Sequence, residues 1–132
     1  MVVDASLALA WFFEDESDKR TDSLLDALQD EEAVAPIIWR IEIVNAFGSG
    51  VLRKRFSVQT AQEYVRRLQR LPVRIDREVE QMLSHLFDLA QKYGLSAYDA
   101  SYVELALREN LPLATNDKHL SRAAKAAGIQ LL

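Results

Sequence analysis

Short apolar runs and longer segments with helical periodicity alternate along the chain. Val2-Val3 is a β-branched pair suited to a buried parallel strand, and it ends on an acid, Asp4. Ser6 reads as the N-cap of a helix through the apolar run Leu7 to Phe13. An acidic segment leads to a second helix around Leu24, Leu25 and Leu28, closed by Asp30-Glu31-Glu32, whose charges oppose the helix dipole. Ala33-Val34-Ala35 reads as the second strand, and Pro36 suits the start of a long helix from Ile37 to about Val51.

Beyond Arg53-Lys54-Arg55, Ser57 can cap a helix carrying Ala61, Tyr64, Val65 and Leu68, which Pro72 stops. Val73-Arg74-Ile75 alternates as a third strand. Val79, Met82, Leu83, Leu86, Phe87 and Ala90 then recur at helical spacing, with Gly94 as a natural C-cap. Ser96 caps a helix from Ala97 to Glu109, ended by Asn110 or Pro112. Leu113-Ala114-Thr115 is the fourth strand, Asn116-Asp117 opens a short helix to Ala127, and Ile129 to Leu132 supplies a fifth strand. The alternation predicts an α/β fold, a parallel five-stranded sheet flanked by helices on both faces.

The composition fits one soluble domain over residues 1–132, with 49% hydrophobic and 27% charged residues. The absence of cysteine removes disulfides, thiol nucleophiles and cysteine-ligated zinc, and agrees with a reducing cytoplasm. No apolar run approaches the roughly 20 residues of a membrane span, so no membrane partner is expected. A net charge of −4 does not advertise nucleic-acid binding, although acids gathered in a metal site would be neutralised by their cations.

Four carboxylates stand apart: Asp4 after strand one, Glu42 in a mostly apolar helix, Asp99 in a helix's first turn, and Asp117 after strand four. Each has a plain structural reading. Asp4 can be a loop acid, Asp117 an N-cap, and Ser96 to Asp99 a variant capping box. Glu42 is harder to set aside, because a charge among apolar neighbours needs a partner, either Arg40 or Arg53 in an ion pair, or a bound cation. Adjacent strands one and four would bring Asp4 and Asp117 to the sheet's switch point, where oxygen ligands suit a hard cation such as Mg²⁺. His85 lies mid-helix and His119 in a helix's first turn, so a paired-histidine mechanism has little support.

Four segments, Val2-Val3-Asp4-Ala5-Ser6, Ile41 to Ala46, Leu95 to Tyr102 and Leu113 to Leu120, make the chain resemble the PIN-domain ribonucleases, specifically VapC-type toxins of toxin–antitoxin modules. The resemblance covers nearly the whole chain. It implies a PIN fold and an acidic metal site of Asp4, Glu42, Asp99 and Asp117, with Ser6, Thr115 and Asn116 in support. It also implies Mg²⁺- or Mn²⁺-dependent endonucleolytic cleavage of RNA by metal-activated water, homodimerisation, and inhibition by a cognate antitoxin. Arg53, Lys54 and Arg55 are candidate RNA contacts, as are Arg66, Arg67 and Arg70, although a solvated basic face is an equal reading.

Two other readings stand beside it. A phosphoacceptor receiver-like module would use Asp76 after strand three, with Asp4 and Thr115 at neighbouring strand ends. A catalytically inactive PIN domain would bind RNA without cutting it.

Overall fold

The computed structural model describes residues 1–78 and 82–132. Its elements in chain order are β1 (Val2–Val3), α1 (Ala5–Ala10), α2 (Lys19–Ala27), β2 (Ala33–Pro36), α3 (Trp39–Leu52) and α4 (Val58–Arg70). They continue with β3 (Val73–Asp76), α5 (Leu83–Tyr93), α6 (Ala97–Glu109), β4 (Leu113–Ala114) and α7 (Lys118–Ala126). Val79, assigned by periodicity to the fifth helix, lies outside the described residues.

The sheet is parallel throughout, in the order β3-β2-β1-β4. Val2 and Val3 pair with Leu113 and Ala114, and Val2 also pairs with Val34. Fully buried β1 and β2 explain why their sequences are continuously apolar instead of alternating.

Among the described residues the sheet has four strands, not the five expected. The final segment makes a single parallel bridge, Leu131 to Leu113, supported by Leu113 N–H donating to the Gln130 carbonyl at 2.9 Å. Gly128, at φ +80°, turns the chain out of α7 toward this bridge.

Local chemistry fixes the helix ends. Ser57 and Ser96 accept hydrogen bonds from the amides of Thr60 and Asp99, at 3.1 and 3.0 Å. Gly94 closes α5 in the left-handed conformation at φ +64°, as its lack of a Cβ allows. Two expectations are corrected. Asp4, not Ser6, is the N-cap of α1, and Pro36 ends β2 while α3 begins at Trp39.

Helix α6 packs along β1, β2 and β4 and also against α5 and α7, so it carries residues from the sheet core to the site. Trp39, Phe47 and Trp11 are all core residues, and Phe47 sits in an aromatic cluster with Phe12, Phe13 and Tyr64. Among the described residues, no helix is long and apolar enough to cross a membrane.

Candidate active site

The strand order makes the gap between β1 and β4 the point where the chain reverses direction across the sheet. Ligands of open α/β sheets bind at the carboxyl ends of strands at such a point. Asp4 follows β1 there and Thr115 follows β4. The Thr115 hydroxyl donates to Asp4 Oδ2 at 2.6 Å, and the Ser6 hydroxyl and amide donate to the same oxygen. Ser6 Oγ in turn accepts the Asn116 amide at 3.0 Å, and Thr115 Oγ1 accepts the Asp117 amide at 3.0 Å. Two hydroxyls thus tie the loops after β1 and β4 together around one carboxylate.

Asp4 is only 5% exposed. Burial pushes its carboxyl above the ordinary range, against the downward pull of the Ser6 and Thr115 hydroxyls and the Ser6 and Ala5 amides. Glu42, in the first turn of α3, is half-buried and also pushed up. Burial is the largest cause, the Tyr102 hydroxyl opposes it, and the negative charges of Asp4 and Asp99 add to it. Glu42 therefore lies within electrostatic reach of both Asp4 and Asp99.

Glu42 has no arginine partner among the described residues, which corrects the expectation of Arg40 or Arg53. Its Oε2 instead accepts the hydroxyl of Tyr102, a fully buried residue of α6. Burial and the charges of Asp4 and Glu42 drive the Tyr102 phenol far above its ordinary range, so it serves as a donor at any physiological pH. Tyr102 was missed as a site residue because its link to Glu42 spans 60 positions. The available signal was helical spacing: Tyr102 lies three residues after Asp99 and shares its face.

Asp117 differs from the other three. It is exposed, and its Oδ1 accepts the amides of His119 and Leu120 at 2.6 and 2.9 Å, which makes it the N-cap of α7. The Asn116 side chain is held by Arg20 of α2 at 2.7 Å, and Arg20 also reaches the Thr115 carbonyl. Arg20 is a second residue that sequence reasoning passed over.

The donor set is entirely oxygen, which suits a hard divalent cation. The hydrogen bonds described run to Oδ2 of Asp4, Oε2 of Glu42, Oδ2 of Asp99 and Oδ1 of Asp117, so each carboxylate keeps an oxygen that these bonds do not use. Among the described residues, no three acid or histidine side chains stand close enough to form a ready cage for one ion. The fit is one of donor chemistry and mutual charge: two carboxyls already pushed up by burial, with a third adding its repulsion to one of them.

The remaining candidates lie elsewhere. Arg55 is drawn to Asp15 and Glu16, at 2.5 and 3.0 Å, and stacks over Phe13 at 4.1 Å. Arg53 and Lys54 are exposed at the end of α3. His85 and His119 are both exposed. Asp76 is buried and ion-paired to Arg108 at 2.7 Å, so it lacks the accessibility that a phosphoacceptor needs. Arg108 also pairs at 2.8 Å with Glu104, a buried acid that the apolar periodicity of α6 concealed.

No curated protein sequence matches the chain. Among solved structures, PAE2754 from Pyrobaculum aerophilum is similar at 26% identity and a TM-score of 0.67, over 92% of this chain and 77% of that one. FitAcB from Neisseria gonorrhoeae is similar in fold at 16% identity and a TM-score of 0.68, over 99% of this chain and 95% of that one. The family model that matches is the PIN domain, over residues 1–126. PIN domains are generally nucleases, and these generally use divalent metal ions. With a parallel sheet, a buried acid at its switch point and a family match over residues 1–126, the chain belongs to the PIN domain family.

Proposed function

We propose that this chain is a metal-dependent endoribonuclease, the VapC-type toxin of a type II toxin–antitoxin module, acting in the cytoplasm as one PIN domain over residues 1–132. The observation that carries the reading is Asp4, buried at the β1–β4 switch point and held by Ser6 and Thr115, with Glu42 feeling the charges of both Asp4 and Asp99. The order and spacing of the four acid-bearing segments support the toxin assignment.

Asp4, Glu42 and Asp99 would hold Mg²⁺ or Mn²⁺, with Asp117 at the rim. A divalent cation there supplies positive charge to the scissile phosphate and lowers the pKa of an attacking water. Ser6 and Thr115 fix the rotamer of Asp4 by occupying Oδ2, so its other oxygen keeps one direction. Tyr102 does the same for Glu42. Attack by water in line with the departing ribose oxygen needs no covalent enzyme intermediate.

Exposed Leu83, Phe87 and Tyr98, together with Ile41, Val44 and Leu52 on α3, are apolar surface that supports a second copy of the chain and an antitoxin as partners. The test is RNA cleavage by purified protein with Mg²⁺ or Mn²⁺, with and without chelator. The parent should cut, chelator should stop it, and Asp4→Asn and Asp99→Asn should lose activity while remaining folded. Cleavage by both variants at the parent's rate would refute the site, and binding without cleavage under every metal would favour an inactive RNA-binding PIN domain.

A further inference from the structure

The ion pairs of this acidic chain leave one cleft positive. Between the C-terminal end of α5 and α7 lies an open cleft of about 310 Å³ lined by Lys92, Tyr93, His119, Arg122, Ala123 and Ala126. Lys118, Arg122 and Lys125 follow one another on α7 at intervals of four and three residues, so they share a helix face. No acid occurs after Asp117 in a chain whose net charge is −4. Among the described residues, none of Lys92, Lys118, Arg122 and Lys125 forms an ion pair, whereas Arg55, Arg74 and Arg108 are each shared between two or more acids.

The cleft adjoins the acids by chain continuity. Lys118 and His119 directly follow Asp117, and Tyr93 precedes by three residues Ser96, the cap of the helix that carries Asp99. The α7 wall therefore grows out of the loop that borders the switch point, the α5 wall leads into the helix that carries Asp99, and α6 packs against both α5 and α7.

RNA approaching an acidic site is repelled unless its flanking phosphates meet positive charge on the way in. We propose that the α5–α7 cleft is the track for the single-stranded RNA backbone flanking the scissile phosphate. Lys92 and Arg122 grip phosphates, Lys118 and Lys125 extend the positive path along α7, and Tyr93 supplies an aromatic wall. The inference rests on the nuclease reading and names where its substrate lies. It also moves the RNA contacts away from Arg53, Lys54 and Arg55, of which Arg55 is already engaged by Asp15 and Glu16.

The test is fluorescence anisotropy with a labelled single-stranded RNA of about 12 nucleotides, from low to moderate salt. Asp4→Asn is the common background so that the RNA stays intact, and single-turnover cleavage is followed in chains with Asp4 restored. Adding Lys92→Gln and Arg122→Gln should weaken binding on the order of tenfold at low salt. It should also flatten the dependence of log affinity on log salt by about 0.7 for each phosphate no longer neutralised. Arg53→Gln with Lys54→Gln should stay within about twofold of the background.

Unchanged affinity and slope in the cleft variant would overturn the proposal, as would a larger loss in the Arg53/Lys54 variant. Displacement of the RNA by poly-glutamate as effectively as by unlabelled RNA of equal charge would also overturn it, pointing to an acidic protein partner. A parent chain that cuts no RNA while the cleft substitutions still weaken binding would refute the nuclease reading and leave the track standing.

Discussion

Replacing Tyr102 with phenylalanine removes one oxygen from the core and one donor from Glu42. Tyr102 is fully buried on α6, and its hydroxyl has a carboxylate acceptor on α3, so a single hydrogen bond joins two helices at the site. Hydrogen bonds to charged groups contribute about 1.5–3 kcal/mol. Glu42 is half-exposed and recovers some water when its donor goes, which places the loss toward the lower end, about 1–2 kcal/mol. The ring remains, so cavity formation adds little. For a chain of this length that corresponds to a fall in Tm of about 4–8 °C.

The assay is urea unfolding, reading the midpoint at constant m. Tyr102→Ala, which also deletes the ring, should cost about 3–5 kcal/mol. A Tyr102→Phe stability within about 0.3 kcal/mol of the parent would refute the claim that this hydroxyl holds Glu42, because that bond is worth several times as much. A loss equal to that of Tyr102→Ala would refute it too, since packing and not the hydroxyl would then be the target.

Three further outcomes follow from the same geometry. Burial raises the carboxyls of Asp4 and Glu42, so both bind a proton more tightly folded than unfolded. Their contribution is fully present below the ordinary carboxylate range and is lost as pH rises through the folded values, so urea midpoints from about pH 4 to 7 should fall more steeply in the parent than in Asp4→Asn. Arg108→Ala strands two buried carboxylates, Asp76 and Glu104, and should cost about 3–5 kcal/mol, against less than about 1 kcal/mol for Arg55→Ala at the surface, both by urea unfolding. Gly50→Ala would drive a Cβ into the ring of Phe56 in the aromatic cluster, and thermal unfolding should show a loss of about 1–3 kcal/mol.

Local signals in the sequence carried the fold most of the way. The four strands and seven helices among the described residues, the caps at Ser57 and Ser96 and the left-handed Gly94 all follow from short-range chemistry legible over a few residues. The fifth strand was not legible as a single bridge, because an apolar segment such as Ile129 to Leu132 does not say how many of its residues pair with the sheet edge; Leu131 alone bridges to Leu113. Ser6 looked like the cap of α1 because serine and aspartate are nearly equivalent there; the tertiary pairing of Ser6 with Asp4 and Asn116 decided between them.

The site divides the same way. Asp4, Glu42 and Asp99 stand out by position as candidate ligands, with Ser6 and Thr115 as candidate support, whereas Tyr102 and Arg20 do not. Tyr102 reaches Glu42 across 60 residues, a separation at which no periodicity speaks. Glu104 was hidden for the opposite reason: a lone acid inside an apolar helix reads as surface until Arg108, one turn later, is seen to share it with Asp76.

The most direct test of the acid site is calorimetric titration of the RNA-free chain with Mn²⁺. If Asp4 and Asp99 hold the cation, the parent binds it, Asp4→Asn and Asp99→Asn each weaken binding by at least about tenfold, and Asp117→Asn, whose side chain caps α7, weakens it less. Parent-like affinity in both Asp4→Asn and Asp99→Asn would contradict the assignment of these acids to a metal.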